Sequence, residues 1–163
     1  MMQGYIDLFF PDQGILKIYF AGCDFNCGYC NVKELLKFDE EKLIDLKDVK
    51  CHMESRMSDT VIFTGGEPCL QRQALLNLCR YARNNGMRVI LDTNGSKPNT
   101  IRSLLISELV DEIRMDIKSG KDKFGRVANC STFFITADQV FENMRESIKV
   151  LMEHDEKIDI VFE

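Results

Sequence analysis

The sequence predicts an α/β fold in which about five short parallel strands alternate with helices. Three observations predict it. Short apolar runs rich in β-branched residues recur along the 163-residue chain. Between them, apolar residues repeat at helical spacing. Strands and helices that alternate at these lengths form βα units, whose strands pair in parallel as an open sheet or a partial barrel. No repeat, linker or low-complexity tract interrupts the pattern, so residues 1–163 are expected to form one domain.

The elements follow in order. Residues 3–10 are expected to add an N-terminal hairpin strand. Residues 16–22 read as the first parallel strand, 60–64 as the second, 88–92 as the third, 110–117 as the fourth and 158–163 as the fifth. A charged helix is expected between 39 and 56, covering the outside of the sheet. Leu70, Leu75, Leu78, Cys79 and Ala82 share one face of a helix that stops at Asn84-Asn85-Gly86, a glycine terminator. Ile101, Leu104, Leu105 and Leu109 repeat behind Pro98, a residue suited to a first helical turn. Val140, Phe141, Met144, Ile148, Leu151 and Met152 form a third stripe. Thr136 and Gln139 at its start make a capping-box pattern. Residues 119–135 lack periodicity and read as one long loop. The chain stops at Glu163 inside the fifth expected strand, which would leave an open edge there. The expectation is either a naturally short or truncated form, or one part of a longer protein.

Composition narrows the function. The chain is 45% hydrophobic and 29% charged, with a net charge of -5. No basic stripe is present, which argues against a nucleic-acid surface. No apolar run is long enough to cross a bilayer, and the N-terminus lacks a signal-peptide pattern. The expectation is a cytoplasmic protein with neither a nucleic-acid nor a membrane partner. Seven cysteines in a reducing compartment are not expected to form disulfides. Cys51, Cys69, Cys79 and Cys130 are scattered and read as packing residues. His52 and His154 read as surface residues.

Cys23, Cys27 and Cys30 stand apart, in Cys-x3-Cys-x2-Cys spacing directly after the first parallel strand. Three thiolates so placed can hold three corners of an iron–sulfur cubane and leave the fourth iron open to a ligand. Zinc is the rival, but a structural zinc site takes four ligands, and no fourth partner is evident. Gly65-Gly66-Glu67-Pro68 follow the second parallel strand, Asp92-Thr93-Asn94-Gly95 close the third, and Asp116-Ile117-Lys118 close the fourth. Parallel strands present their C-terminal ends on one side, where ligands bind, so these four clusters converge on one mouth. Taken singly, each has a plainer reading. Gly-Gly-Glu-Pro and Asp-Thr-Asn-Gly also make ordinary turns. Asp116 with Lys118 makes a local ion pair. Tyr29 fits a core position as well.

Together the motifs resemble the radical S-adenosyl-L-methionine (SAM) superfamily, from about residue 4 onward. Within it, Asp92-Thr-Asn-Gly and Asp116-Ile-Lys resemble the activating enzymes of glycyl-radical enzymes, including those of anaerobic ribonucleotide reductase and pyruvate formate-lyase. The resemblance implies a partial (β/α) barrel of the radical SAM type. It implies that Cys23, Cys27 and Cys30 ligate a [4Fe-4S] cluster whose fourth iron takes SAM. Reductive cleavage of SAM would then give a 5′-deoxyadenosyl radical that removes a hydrogen atom from the target.

The cofactor-binding set implied is Tyr29, Gly65, Gly66, Glu67, Pro68, Asp92, Thr93, Asn94, Asp116 and Lys118. Gly65 and Gly66 let the backbone approach the methionine moiety. Glu67 accepts from the SAM ammonium, and Pro68 stiffens the turn. Tyr29 offers a ring to the adenine, Asn94 a bond to the ribose and Lys118 a charge to the carboxylate. Asp92 and Asp116 either share a monovalent cation or pair with Lys118 and Arg114. The implied partners are a glycyl-radical enzyme and an electron donor of the flavodoxin or ferredoxin type. Two alternatives stand beside this reading: a radical SAM enzyme acting on a small molecule or peptide, and a non-catalytic iron–sulfur or zinc module.

Overall fold

A computed structural model describes residues 2–9, 14–55, 58–130, 132, 135–154 and 159–162. The chain runs β1 (Gln3–Phe9), β2 (Ile15–Phe20), β3 (Leu43–Asp45), α1 (Leu46–Ser55), β4 (Thr60–Gly65), α2 (Arg72–Asn84), β5 (Arg88–Thr93), α3 (Pro98–Ile106), β6 (Glu112–Met115), α4 (Lys121–Ala128), α5 (Ala137–Met152) and β7 (Asp159–Phe162). All seven strands join one sheet in the order β3-β1-β2-β4-β5-β6-β7. The five expected parallel strands are β2, β4, β5, β6 and β7. β1 is the expected hairpin strand, antiparallel to β2. The sheet does not close on itself; β3 and β7 lie at its two edges.

Register and pleat explain why the sheet has two different faces. Leu16 and Ile18 on β2 stand beside Val61 and Phe63 on β4, and these beside Val89 and Leu91 on β5. Leu91 in turn stands beside Ile113 on β6. All are buried in one core with Leu75, Leu78 and Cys79 of α2, Ile101 and Leu104 of α3, and Val140, Met144 and Leu151 of α5. Alternate residues point the other way. Ile62 and Ile90 are also buried, but outside that core. Burial on both faces is why β4 and β5 read as continuous apolar runs. The second face continues past Ile62, Ile90 and Glu112 to Thr64, Asp92 and Arg114. It therefore turns polar toward the strand ends.

Helix boundaries follow local chemistry. Thr136 and Gln139 form the expected capping box, with Gln139 N donating to Thr136 Oγ1 at 3.3 Å and Thr136 N to Gln139 Oε1 at 2.8 Å. Pro98 opens α3. α2 ends at Asn85, and Gly86 follows at φ +72°, a conformation that costs glycine little. No helix among the described residues is long and apolar enough to cross a membrane.

Five expectations change. The helix expected between 39 and 56 occupies only 46–55. Residues 40–42 form a 3-10 turn, and residues 43–45 become β3, paired with β1. The stretch 119–135 holds a helix, α4, whose Phe124 and Ala128 are buried. Only two apolar contacts anchor that short helix, so its sequence shows no periodic stripe. The fourth parallel strand is four residues rather than eight. Cys69, Cys79 and Cys130 are buried as packing residues, but Cys51 is exposed on α1. His154 is part-buried, with Nδ1 2.8 Å from Val150 O. Residues 10, 158 and 163 of the expected strands lie outside the described residues.

Candidate active site

The C-terminal ends of β2, β4, β5 and β6 surround a cavity of about 310 Å³. Its lining includes Cys23, Cys27, Cys30, Tyr29, Gly65, Gly66, Asp92, Thr93, Asn94, Asp116 and Lys118. Eleven of the thirteen sequence-selected residues thus meet in one place. Glu67 and Pro68 do not line it.

The cysteine loop leaves β2 through Gly22, which sits at φ +88°. Gly22 N donates to Leu35 O at 2.7 Å and Cys23 N to Leu36 O at 3.1 Å. On its other side, Asn26 N donates to Ala128 O at 2.9 Å. Phe25 meets Phe124 edge-on at 5.7 Å, and Phe124 meets Phe141 of α5 at 5.3 Å. Residues 119–135 therefore act as a buttress: α4 holds the cysteine loop against α5. None of its described residues lines the cavity.

The two glycines after β4 are needed for close approach. Gly65 has φ +112°, and a β-carbon there would lie 2.5 Å from Phe20 O. One on Gly66 would lie 2.3 Å from Gly22 O. That closeness lets Gly66 N donate to Phe20 O at 2.8 Å and Glu67 N to Gly22 O at 2.9 Å. The turn after β4 is thereby sewn to the start of the cysteine loop.

Glu67 is held inside the protein by its own neighbours. Its side chain is fully buried and accepts three hydrogen bonds: from Cys69 N (2.9 Å), Thr93 Oγ1 (2.7 Å) and Asn94 N (2.6 Å). The carboxylate crosslinks the ends of β4 and β5 rather than reaching the cavity. Burial pushes its pKa up to about 6, against the opposing pull of the Asn94 and Thr93 donors. Thr93 likewise turns its hydroxyl to Glu67, because it follows the odd-numbered, core-facing side of β5. Asp92, one residue earlier, faces the cavity. Pro68 is buried and begins a 3-10 turn ahead of α2.

Charges gather on the far wall. Lys118 pairs with Asp116 and lies 5.5 Å from the centre of the Tyr29 ring. Tyr29 itself is 56% exposed, which removes its core reading. Arg114 donates to Glu112 Oε1 at 2.6 Å and sits 4.0 Å from Asp92. Asp92 thus faces Arg114, and Asp116 faces Lys118. Arg114 also lines the cavity, as do Phe25, Thr64 and Leu36. Of these four, the sequence pointed only to Arg114, and only as an ion-pair partner. For Thr64 and Arg114 the signal was present, since Arg114 lies two residues before Asp116 and Thr64 two after Ile62. Phe25 and Leu36 come from loops and carried none.

The three thiols come from one short loop and line one cavity. Three thiolates on one loop can each take a different iron of a cluster and leave a fourth iron facing the cavity. Burial pushes the Cys23 thiol up to about 12 and also raises Cys27, the latter opposed by Lys118. Both are thus neutral thiols in the metal-free chain, and metal must displace their protons. Cys23 Sγ already accepts from Phe25 N at 3.4 Å, a contact that favours a thiolate there.

Comparison with known proteins agrees with this geometry. The sequence signature of the Radical SAM superfamily matches residues 18–155. A Methanocaldococcus jannaschii protein named "Putative glycyl-radical enzyme activating enzyme" is 30% identical over 134 residues, covering 80% of this chain and 55% of that one. The 7-carboxy-7-deazaguanine synthase of Clostridium acetobutylicum is 29% identical over 145 residues, covering 85% and 64%. The chain therefore spans little more than half the length of these relatives. Among solved structures, QueE from Escherichia coli superposes with a TM-score of 0.53 at 16% identity, covering 100% of this chain and 95% of that one. At that identity the likeness concerns the fold.

Proposed function

This chain belongs to the radical SAM superfamily, and from that premise we propose that it reductively cleaves SAM to install a glycyl radical on a partner enzyme. The superfamily's cofactors are a [4Fe-4S] cluster and SAM. Cys23, Cys27 and Cys30 would hold the cluster. When bound there, the cluster would supply the single electron for reductive cleavage of SAM. The chain's own residues orient and shield. The Gly65-Gly66 backbone would lie along the methionine moiety, Lys118 would face its carboxylate, Asn94 would serve the ribose and the exposed Tyr29 ring the adenine. Residues 1–163 would act as one radical SAM core domain, fed by an electron donor of the flavodoxin or ferredoxin type.

The size of the cavity carries the choice of substrate. About 310 Å³ stands at the low end of small-molecule sites. A cubane and SAM must share it, which leaves the hydrogen donor at the mouth. A small-molecule enzyme would wall off that donor, but α4 braces the cysteine loop instead, and none of the described residues of 119–135 lines the cavity. A macromolecule that presents one backbone glycine over the mouth fits this arrangement, and the Methanocaldococcus relative bears a name of that class.

The similarity to 7-carboxy-7-deazaguanine synthases over 85% of the chain supports a second reading, a small-molecule substrate. Anaerobic reconstitution with iron, sulfide, reductant and SAM separates the two. Formation of 5′-deoxyadenosine, with a glycyl-radical resonance on an added candidate partner, supports the activase. Formation of 5′-deoxyadenosine stimulated only by a small molecule, with no glycyl radical on any added partner, overturns it.

A further inference from the structure

Asp24 lies inside the Cys-x3-Cys spacer, next to Cys23, and no motif accounts for it. Its side chain is only 22% exposed. Its carboxylate accepts from Asn94 Nδ2 at 2.9 Å and from Ser96 Oγ at 2.7 Å. It also forms an ion pair with Lys97 Nζ at 2.9 Å. All three partners belong to the segment between β5 and α3. That segment is rigid for reasons of its own. Asn94 N is held by Glu67, Ser96 N donates to Asn94 Oδ1 at 2.9 Å, and buried Ser147 of α5 donates to Gly95 O at 2.6 Å. Asn94 Nδ2, while bonded to Asp24, also lies 3.9 Å from Cys23 Sγ. Backbone bonds tie Cys23 to Leu36 and its neighbour Gly22 to the turn after β4; Asp24 ties the loop to the segment after β5.

We infer that Asp24 is a positioning residue: it seats Cys23 against the β5–α3 turn, and together with Lys97 it sets the electrostatic environment of the metal group that the three cysteines hold. The inference rests on the cluster reading above but not on the choice of substrate. Two consequences follow. Removing the carboxylate frees the cysteine loop from its β5 anchor, so the thiol is no longer pre-set for metal. Changing the charge of either member of the pair moves the reduction potential of the cluster, which depends on net charge and on hydrogen bonding near the sulfurs. Loss of the Asp24 charge raises the potential, because the reduced, more negative state loses a repulsive neighbour. Loss of the Lys97 charge lowers it.

The test uses the full chain, reconstituted anaerobically with iron and sulfide. It compares Asp24→Ala, Asp24→Asn and Lys97→Ala with the unaltered protein, each checked for folding by circular dichroism before metal is added. Asp24→Ala is expected to hold its cluster about tenfold or more less tightly against a chelator. Asp24→Asn, which keeps an acceptor oxygen, is expected to recover most of that retention. Midpoint potentials from redox titration followed by electron resonance should rise in Asp24→Asn and fall in Lys97→Ala. A purely structural role would leave those potentials in place. Equal retention by Asp24→Ala and the unaltered protein, or potentials that stay fixed or move in the same direction, overturns the inference alone. If the unaltered protein takes up no cluster, the cysteine reading falls and the inference with it. Should Asp24→Ala fail to fold, the opposed shifts in the other two variants decide the matter.

Discussion

Gly65→Ala probes the contact on which the whole mouth depends. Gly65 sits at φ +112°, and the missing β-carbon would meet Phe20 O at 2.5 Å, Phe20 N at 2.6 Å and Tyr19 C at 3.1 Å. These are backbone atoms of β2, so no side chain can swing away. The conformational cost of a non-glycine residue there is about 1–3 kcal/mol. Relieving the overlap means parting β2 from β4 and weakening the 2.8 Å bond from Gly66 N to Phe20 O, which adds about 0.5–1.5 kcal/mol. The sum is about 2–4 kcal/mol, a large share of the 5–15 kcal/mol of an ordinary domain. In a chain of this length each kcal/mol moves Tm by about 2–4 °C, so a drop of roughly 5–15 °C is expected.

Gly86→Ala is the matched control. Gly86 also has positive φ, +72°, but a β-carbon there meets nothing within 4 Å. It therefore carries the conformational cost, about 1 kcal/mol, without the collision. Urea unfolding of the two metal-free variants under identical conditions isolates the collision as their difference. If Gly65→Ala proves no worse than Gly86→Ala, the close approach of β2 and β4 is not what glycine serves there, and the reasoning fails.

Other outcomes are expected from the same geometry. The Glu67 carboxyl has its pKa raised by burial to about 6, above its unfolded range. Its contribution is therefore complete below about pH 4.3 and fades as pH rises to about 6, by up to about 2 kcal/mol. Urea midpoints measured from pH 4 to 7.5 should show that decline in the unaltered protein and a flatter profile in Glu67→Gln; parallel profiles contradict the assignment. Thr136→Ala removes half of the capping box on α5 and should cost about 1 kcal/mol, read as a small fall in Tm; an unchanged Tm counts against the cap. Lys118→Ala takes away a cation that lines the cavity and should weaken SAM binding to the reconstituted protein about tenfold or more, as measured by calorimetry. Unaltered affinity would show that the SAM carboxylate lies elsewhere. Cys30→Ala should abolish four-iron uptake; full iron content in that variant refutes the three-cysteine site.

Much of this was legible from the order of residues. Strand and helix periodicities are local, and so are the proline, glycine and Thr136–Gln139 signals that begin and end helices. The Cys23, Cys27 and Cys30 spacing is likewise a property of eight consecutive residues. Convergence at one mouth was legible too, because parallel strands put their ends on one side whatever their detailed packing.

Other features depended on contacts between residues far apart in the chain. β3 is a strand because β1 offers it an open edge, and α4 is a helix anchored mainly by Phe124 and Ala128; neither has enough apolar repetition of its own. Glu67 followed a motif that made it a ligand for SAM, yet Thr93 and Asn94, 26 and 27 residues away, claim its oxygens. Asp24 carried no motif, and its weight comes from Asn94, Ser96 and Lys97, at least 70 residues further on. Sequence by itself determined the fold class, the thiol triplet and the side of the sheet on which chemistry occurs, since each follows from short-range spacing and the pleat. Only the tertiary structure decided which carboxylates face the cavity and which hold its walls, because a buried charge goes to whichever donors the packed chain brings within reach.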